Sequence, residues 1–246
     1  MKNKPSNISD LDWKLLTNKY DNIEEILPKI NEGYPIQYLL GDVSFYGYPF
    51  KVNENVLIPR FETETLIEKI IPLIKKLNLD NSNLIDMGTG SGIIAITLKK
   101  LIPSLNITAI DKSIKALQVA KENALLNNAD ICIEEKDIFN YELPNNISII
   151  VSNPPYIEET SNYNKNVLYE PKEAIFVPDN NPLIYYEQIL KIANSKINNK
   201  FLIAFEIDED HKEDMLELIK RYFPNSTINI EKDLTGKYRY TFIYSE

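Results

Sequence analysis

Two short stretches carry residue types whose spacing suits chemistry. The first is Asn153-Pro154-Pro155-Tyr156, directly after the apolar run SIIV. A proline disfavours the helical region for the residue before it, so Asn153 and Pro154 are expected to stay extended, with carbonyls that no helix consumes. The Asn153 side-chain oxygen and the Pro154 main-chain oxygen can then converge as two acceptors on the two hydrogens of a planar NH2 group. Tyr156 offers a face on which a flat acceptor group can pack. The second stretch is Asp86-Met87-Gly88-Thr89-Gly90-Ser91-Gly92, where a strand turns into a helix. Its glycines let the main chain pass close to a ligand, and the helix N-terminus presents free N–H groups. Asp111 closes the next strand about 20 residues on, where a carboxylate can take both hydroxyls of a ribose. The dinucleotide fingerprint GxGxxG is not met, because the third glycine comes one residue early and Ile93 stands in its place. That spacing counts against a nicotinamide cofactor.

The elements that must hold these stretches read as follows. Ser9 caps a helix through Leu11, Leu15 and Leu16, and Asn22 caps a second through Ile23, Ile26, Leu27 and Ile30, weakened by Pro28. The run VSFYGYPFKV, Val43 to Val52, is a β-hairpin broken at Gly47, with Pro49 marking an edge strand. A helix from about Glu62 to Leu77 carries Leu66, Ile70, Leu73 and Ile74 on one face, with a kink at Pro72. Beyond Asn83, apolar strands alternate with helical segments: Leu84 to Met87, Ile107 to Ile110, Ile131 to Glu134, Ile147 to Val151, Phe201 to Ile207 and Thr227 to Ile230. That alternation predicts an α/β fold with a doubly wound parallel sheet. The last strand, Tyr238 to Tyr244, follows a DLTG turn too short for a crossover and should run antiparallel. The expected organisation is a small helical segment over 1–34, a hairpin and connecting helix over 35–80, and the main α/β domain over 81–246.

Composition narrows the function classes. The chain has 246 residues, 43% hydrophobic and 26% charged, ordinary values for a globular protein. A single cysteine, Cys132, precludes an internal disulfide, and with a single histidine, His211, every multi-residue His/Cys zinc cluster is excluded by counting. His211 lies in the charged stretch DEDHKEDM and reads as a solvated surface residue. Lys and Arg number 27 against 36 Asp and Glu, and the net charge of -9 disfavours a stable complex with nucleic acid. No apolar run suits a membrane span or a signal peptide, so a soluble cytoplasmic protein and a monomer are expected.

The DxGxGxG loop with its downstream acid resembles the binding loop of class I S-adenosylmethionine-dependent methyltransferases, whose Rossmann-like sheet also ends in an antiparallel strand. The resemblance implies S-adenosylmethionine as cofactor. It places Asp86, Gly88, Thr89, Gly90, Ser91 and Gly92 by the methionine moiety, Asp111 on the ribose, and Asp137, Ile138 and Phe139 beside the adenine. The two acceptors of Asn153 and Pro154 then have a purpose. An amide or aromatic amine nitrogen has a delocalised lone pair and must be aimed at the sulfonium methyl. The acceptors strengthen as that nitrogen gains positive charge, so no strong general base is required.

The segments PIQYLLGDVSFYGYPFKVNENVLIPRFETE, DMGTGSG, NPPYI, YEPKEAIF, AFEI and DLTGKYR stand in the order and spacing of the release factor glutamine methyltransferase family, which the chain resembles from about Pro35 to its C-terminus. Members methylate the side-chain amide of the glutamine in the GGQ motif of class I peptide chain release factors. The resemblance implies that Asn153, Pro154, Pro155 and Tyr156 hold that amide. It also implies that Arg60, Glu62, Thr63 and Glu64 shape the wall above the methyl donor, with an Arg60 to Glu64 ion pair at the helix start as the plainer alternative. NPPY is shared with amino-methyltransferases acting on adenine or cytosine in nucleic acid, the alternative function, and a cofactor-binding translation factor without turnover is a third reading. The chain departs from the family in its short N-terminal segment, in Val177-Pro178-Asp179 where a Gly-Gly turn is usual, in Asp208 for a glycine, and in Ile138 for an adenine-side aromatic.

Overall fold

The computed structural model describes residues 4–161, 163 and 165–245, with only the main chain of Lys165. Helix α1, Asp10–Lys19, starts at Ser9, whose hydroxyl accepts the Asp12 N–H at 3.0 Å. Only Leu16 of its leucines is buried; Leu11 and Leu15 face outward, unlike the stripe expected from the sequence. Asn22 caps as expected, but what it caps is a 3-10 turn, Ile23–Glu25, and a separate helix α2, Leu27–Asn31, begins after it. Pro28 sits in the first turn of α2, where its missing N–H costs nothing, so it starts a helix instead of weakening one. With α3, Ile36–Leu40, these pieces enclose a small core of Ile8, Leu16, Ile23, Ile26, Ile30 and Leu39.

Strands β1, Asp42–Phe45, and β2, Tyr48–Lys51, form the hairpin, with Ser44 opposite Pro49. Tyr46 and Gly47 both have positive φ, 52° and 78°, the geometry of a two-residue turn that follows the natural strand twist. Helix α4, Phe61–Lys76, continues through Pro72 and buries Thr63, Leu66, Ile67, Ile70 and Ile74; Leu73 is only partly covered.

The main sheet comprises β3 Asn83–Met87, β4 Asn106–Asp111, β5 Cys132–Glu135, β6 Ile147–Ser152, β7 Phe201–Glu206, β8 Thr227–Lys232 and β9 Tyr238–Ser245. Its spatial order is β5-β4-β3-β6-β7-β9-β8, with β3 to β7 parallel and β9 antiparallel to both neighbours. Helices α5 Ile93–Leu101 and α6 Ile114–Leu126 follow β3 and β4, and α7 Ile184–Lys196 and α8 Lys212–Tyr222 flank β7 in sequence.

Strands β6 and β7 are buried at every residue, because both faces of the sheet are covered. Alternate residues serve the two layers: Leu84, Ile149, Leu202 and Phe242 enter the layer shared with α4, α5 and the hairpin, whereas Ile85, Ile150, Ile203 and Ile243 enter the layer shared with α7 and α8. Each such side chain contributes about 1.5–3 kcal/mol on burial. Among the described residues no helix is long and apolar enough to cross a membrane.

The topology has one consequence for function. From β3 the chain proceeds to β4 and β5 on one side and then returns to β6 on the other, so β3 is the switch point where connections diverge. Open parallel sheets bind ligands at the carboxyl ends of strands at such a point. Asp86 is paired in register with Val151 there, and the glycine loop and the Asn153 loop leave the sheet side by side.

Candidate active site

The two loops open into one cavity of about 660 Å³. The glycine loop forms its floor through Gly88, Thr89, Gly90 and Ser91, and Asn153, Pro154 and Pro155 form the adjoining wall. Asp111, Asp137 and Ile138 close the side along β4 and β5, while Arg60 and Thr63 enter from the start of α4.

The loop is shaped by its backbone. Gly88 and Thr89 both donate to the Ile110 carbonyl at 2.9 Å, which ties the turn to the neighbouring strand. Gly90 takes a φ of 54°, and a Cβ built there meets nothing within 4 Å, so its surface is open to a ligand. Gly92 has a φ of 83°, and its Cβ would come within 2.9 Å of Ile96 Cδ1 and 3.3 Å of Ala120 Cβ, so this glycine lets α5 and α6 pack closely. Gly92 is not on the cavity wall.

Asp86 lies behind the loop and is fully buried. Its Oδ2 accepts the Thr89 hydroxyl at 2.6 Å and the Ala95 N–H at 3.3 Å, and Oδ1 has no partner. Burial pushes its carboxyl up to about 7, against those two hydrogen bonds. Asp111 stands at the end of β4, with Oδ2 accepting the Gly90 N–H and Oδ1 accepting the Ser113 N–H, both at 2.9 Å. The carboxylate lines the cavity, where a diol can donate to it. Burial raises its carboxyl above the usual carboxylate value. Asp137 caps the short turn Ile138–Asn140, accepting the Phe139 N–H at 3.0 Å. Ile138 faces the cavity, but Phe139 does not; its ring packs on Tyr185, which does. Tyr185, on α7, adds an aromatic to the cavity wall that Ile138 also lines, one that the sequence did not mark.

These features fit S-adenosylmethionine. Asp111 presents a carboxylate to the cavity where a diol can donate to it, the open Gly90 provides close approach, and Ile138 with Tyr185 offers an apolar slot for a flat base, whereas Asp86, expected by the methionine moiety, is fully buried and off the cavity wall.

The acceptor loop is held from behind. Ser152 donates its hydroxyl to the Met87 carbonyl, locking β6 to β3. Asn153 donates from Nδ2 to Thr63 Oγ1 at 3.3 Å, and Thr63 donates onward to Glu206 Oε2 at 2.8 Å. Tyr156 packs into the layer of α7 and α8, off the cavity wall, with its hydroxyl 3.5 Å from Glu206 Oε1. Burial holds the Tyr156 phenol well above its ordinary pKa. Beyond the loop, Ile157 donates to Ile175 and accepts from Val177, which joins the acceptor loop to the YEPKEAIF segment. In the Val177-Pro178-Asp179 turn, Asp179 and Asn180 both adopt positive φ, 55° and 50°, so the left-handed backbone usual for glycine persists there.

Residues 54–60 and 171–174 form the roof. Tyr38 donates to the Val56 carbonyl at 2.6 Å, and Glu170 accepts the Ile58 N–H at 2.9 Å while pairing with Arg60. The Arg60 to Glu64 ion pair is therefore replaced: Arg60 pairs with Glu170, and Glu64 accepts the Tyr46 N–H at 2.6 Å to brace the hairpin turn. Glu62, like Glu64, is not on the cavity wall; its carbonyl accepts the Tyr240 hydroxyl at 2.8 Å. Asn123 of α6, unremarked in the sequence, accepts the Lys51 N–H and donates to the Lys51 and Ser91 carbonyls, binding the hairpin edge to the glycine loop.

Comparison with known proteins agrees with this geometry. A family model described as a methyltransferase small domain matches residues 68–174. The crystal structure of a ribosomal protein L11 methylase from Lactobacillus delbrueckii subsp. bulgaricus superposes with a TM-score of 0.57 at 18% identity, covering 79% of this chain and 84% of that one, a likeness of fold. The sheet is that of a class I Rossmann-like methyltransferase. A release factor glutamine methyltransferase from Flavobacterium psychrophilum is 45% identical over 232 residues, covering 90% of this chain and 81% of the relative. One from Enterococcus faecalis is 39% identical over 223 residues, covering 89% and 79%. Identity of this extent along most of both chains settles the family: the chain belongs to the release factor glutamine methyltransferases.

Proposed function

We propose that the protein methylates the side-chain amide nitrogen of a glutamine in peptide chain release factors, using S-adenosylmethionine, and that this glutamine is the one in the GGQ motif of class I factors. One observation carries the reading: Asn153 and Pro154 border the same cavity as the glycine loop, with the Asn153 Nδ2 already engaged and its oxygen left to accept.

S-adenosylmethionine supplies an electrophilic methyl group on a sulfonium. The chain's residues do the rest. Asn153 Oδ1 and the Pro154 carbonyl accept the two amide hydrogens and thereby fix the plane of the acceptor, with its nitrogen lone pair turned toward the donor. Both acceptors strengthen as the nitrogen becomes positive, which favours the transition state. The nitrogen then sheds its proton readily, and no histidine or cysteine lines the cavity among the described residues. Removing one such preorganised partner typically lowers the rate by roughly 100-fold to 1,000-fold. The net charge of -9 supports an enzyme that forms no stable nucleic acid complex, and a monomer working in the cytoplasm is part of the same proposal.

The test is incubation with methyl-labelled S-adenosylmethionine and either purified release factor or DNA. Label in the GGQ-containing peptide supports the reading. Label in DNA, or loss of no label when the GGQ glutamine is replaced, refutes it.

A further inference from the structure

We propose that Glu206 acts through Thr63 as a positioning residue, fixing which end of the Asn153 side-chain amide faces the acceptor. The inference rests on the reading of Asn153 as the amide acceptor and deepens it.

An asparagine side chain has a donor end and an acceptor end of nearly equal size, and a 180° flip exchanges them. Only the oxygen can hold an NH2 hydrogen; the flipped amide would repel it. What decides the orientation is the atom on the far side, Thr63 Oγ1 at 3.3 Å. A hydroxyl has one hydrogen. Thr63 spends it on Glu206 Oε2 at 2.8 Å, and an ionised carboxylate can only accept. Toward Asn153 the hydroxyl therefore presents a lone pair, and only Nδ2 fits against it. The direction set at the end of β7 passes through α4 to the acceptor loop. Thr63 and Glu206 are 143 residues apart, and both are buried to 2% exposure or less, so water does not compete for these contacts.

The relay should reverse when Glu206 gains a proton. The acid can then donate to Thr63, whose hydrogen swings toward Asn153 and selects the flipped amide. The groups that face Glu206 are Thr63 and Glu62 on α4, Tyr156 on the acceptor loop, Tyr186 on α7, and Arg239 and Tyr240 on β9. Burial and Glu62 push its carboxyl up, Arg239 and the hydroxyls of Thr63 and Tyr156 pull it down, and it settles at about 7. The turnover rate at saturating cofactor should accordingly fall as pH drops through about 7.

The experiment compares the wild-type protein with Thr63→Val and Thr63→Ser. Thr63→Val removes the hydroxyl, so kcat on whole release factor should fall by about tenfold or more, while the calorimetric Kd for S-adenosylmethionine stays within about twofold. Its acid limb near neutral pH should vanish. Thr63→Ser restores the hydroxyl, and both kcat and the limb should return. A second readout is independent of turnover: the Asn153 side-chain NH2 signals in an NMR spectrum, assigned by their loss in Asn153→Ala, should move in Thr63→Val and return in Thr63→Ser. Unchanged Asn153 signals in Thr63→Val, or a kcat within about twofold of wild type, would overturn the inference. If the wild-type protein methylates no release factor, the function proposed above fails, and the NMR signals still test whether Thr63 holds the Asn153 amide.

Discussion

The Asp111 carboxylate and the Gly90 main-chain N–H, 21 residues apart in sequence, meet at 2.9 Å. One side chain thus fixes the glycine loop and faces the cavity that the loop lines. Asp111→Ala should weaken S-adenosylmethionine by about 1.5–3 kcal/mol, the scale of hydrogen bonds to a charged group. Calorimetry measures this directly, and an unchanged Kd would mean that the ribose is held by other residues.

Asp86, buried behind the glycine loop, should make cofactor binding depend on pH. Its carboxyl is raised to about 7 in the free protein, and a cationic ligand near the loop stabilises the ionised form, lowering that value in the complex. Below about 7, binding must therefore expel a proton, and the Kd should rise up to about tenfold for each pH unit of acidification, then level off once the complex itself is protonated. Above that pH this contribution is constant. Titration calorimetry between pH 5.5 and 7 in two buffers of different ionisation enthalpy reads both the affinity and the released proton; equal Kd values across this range, roughly 1.5 pH units wide, would contradict it.

Glu170 anchors the roof. It is buried, accepts the Ile58 N–H and pairs with Arg60, so Glu170→Ala leaves a main-chain donor and a guanidinium without their partner. The expected cost is about 1–3 kcal/mol, and a chain of this size loses roughly 2–4 °C in Tm for each kcal/mol. Thermal unfolding with and without S-adenosylmethionine should show the drop in both states and a smaller stabilisation by the cofactor. An unaltered Tm would mean that other contacts, such as the Tyr38 hydroxyl on the Val56 carbonyl, suffice to hold the roof.

The sequence made some of this legible and hid the rest for a physical reason. The seven strands of the main sheet, the glycine turn and the antiparallel β9 are visible because apolar periodicity and glycine placement are local signals. Ser9 and Asn22 cap where their short side chains predict. What was not legible lies in contacts between distant segments. Arg60 has an acidic residue four positions on, yet its partner Glu170 is 110 residues away, brought there by the joining of the acceptor loop to the segment after it. Tyr185 sits in a helical pattern that reads as core, and nothing local marks which of its neighbours border a cavity. Tyr156 was expected to face the acceptor, but its ring enters the apolar layer and its hydroxyl turns to Glu206.

Turnover of Asn153→Ala on the release factor glutamine at saturating S-adenosylmethionine decides whether Asn153 holds the amide. The substitution removes the side-chain acceptor and leaves both prolines of the loop and the cofactor floor in place. S-adenosylmethionine should bind with nearly its normal Kd while kcat falls by about a hundredfold or more. A kcat close to that of the wild-type protein would show that this loop does not hold the amide and that the active site has been assigned to the wrong residues.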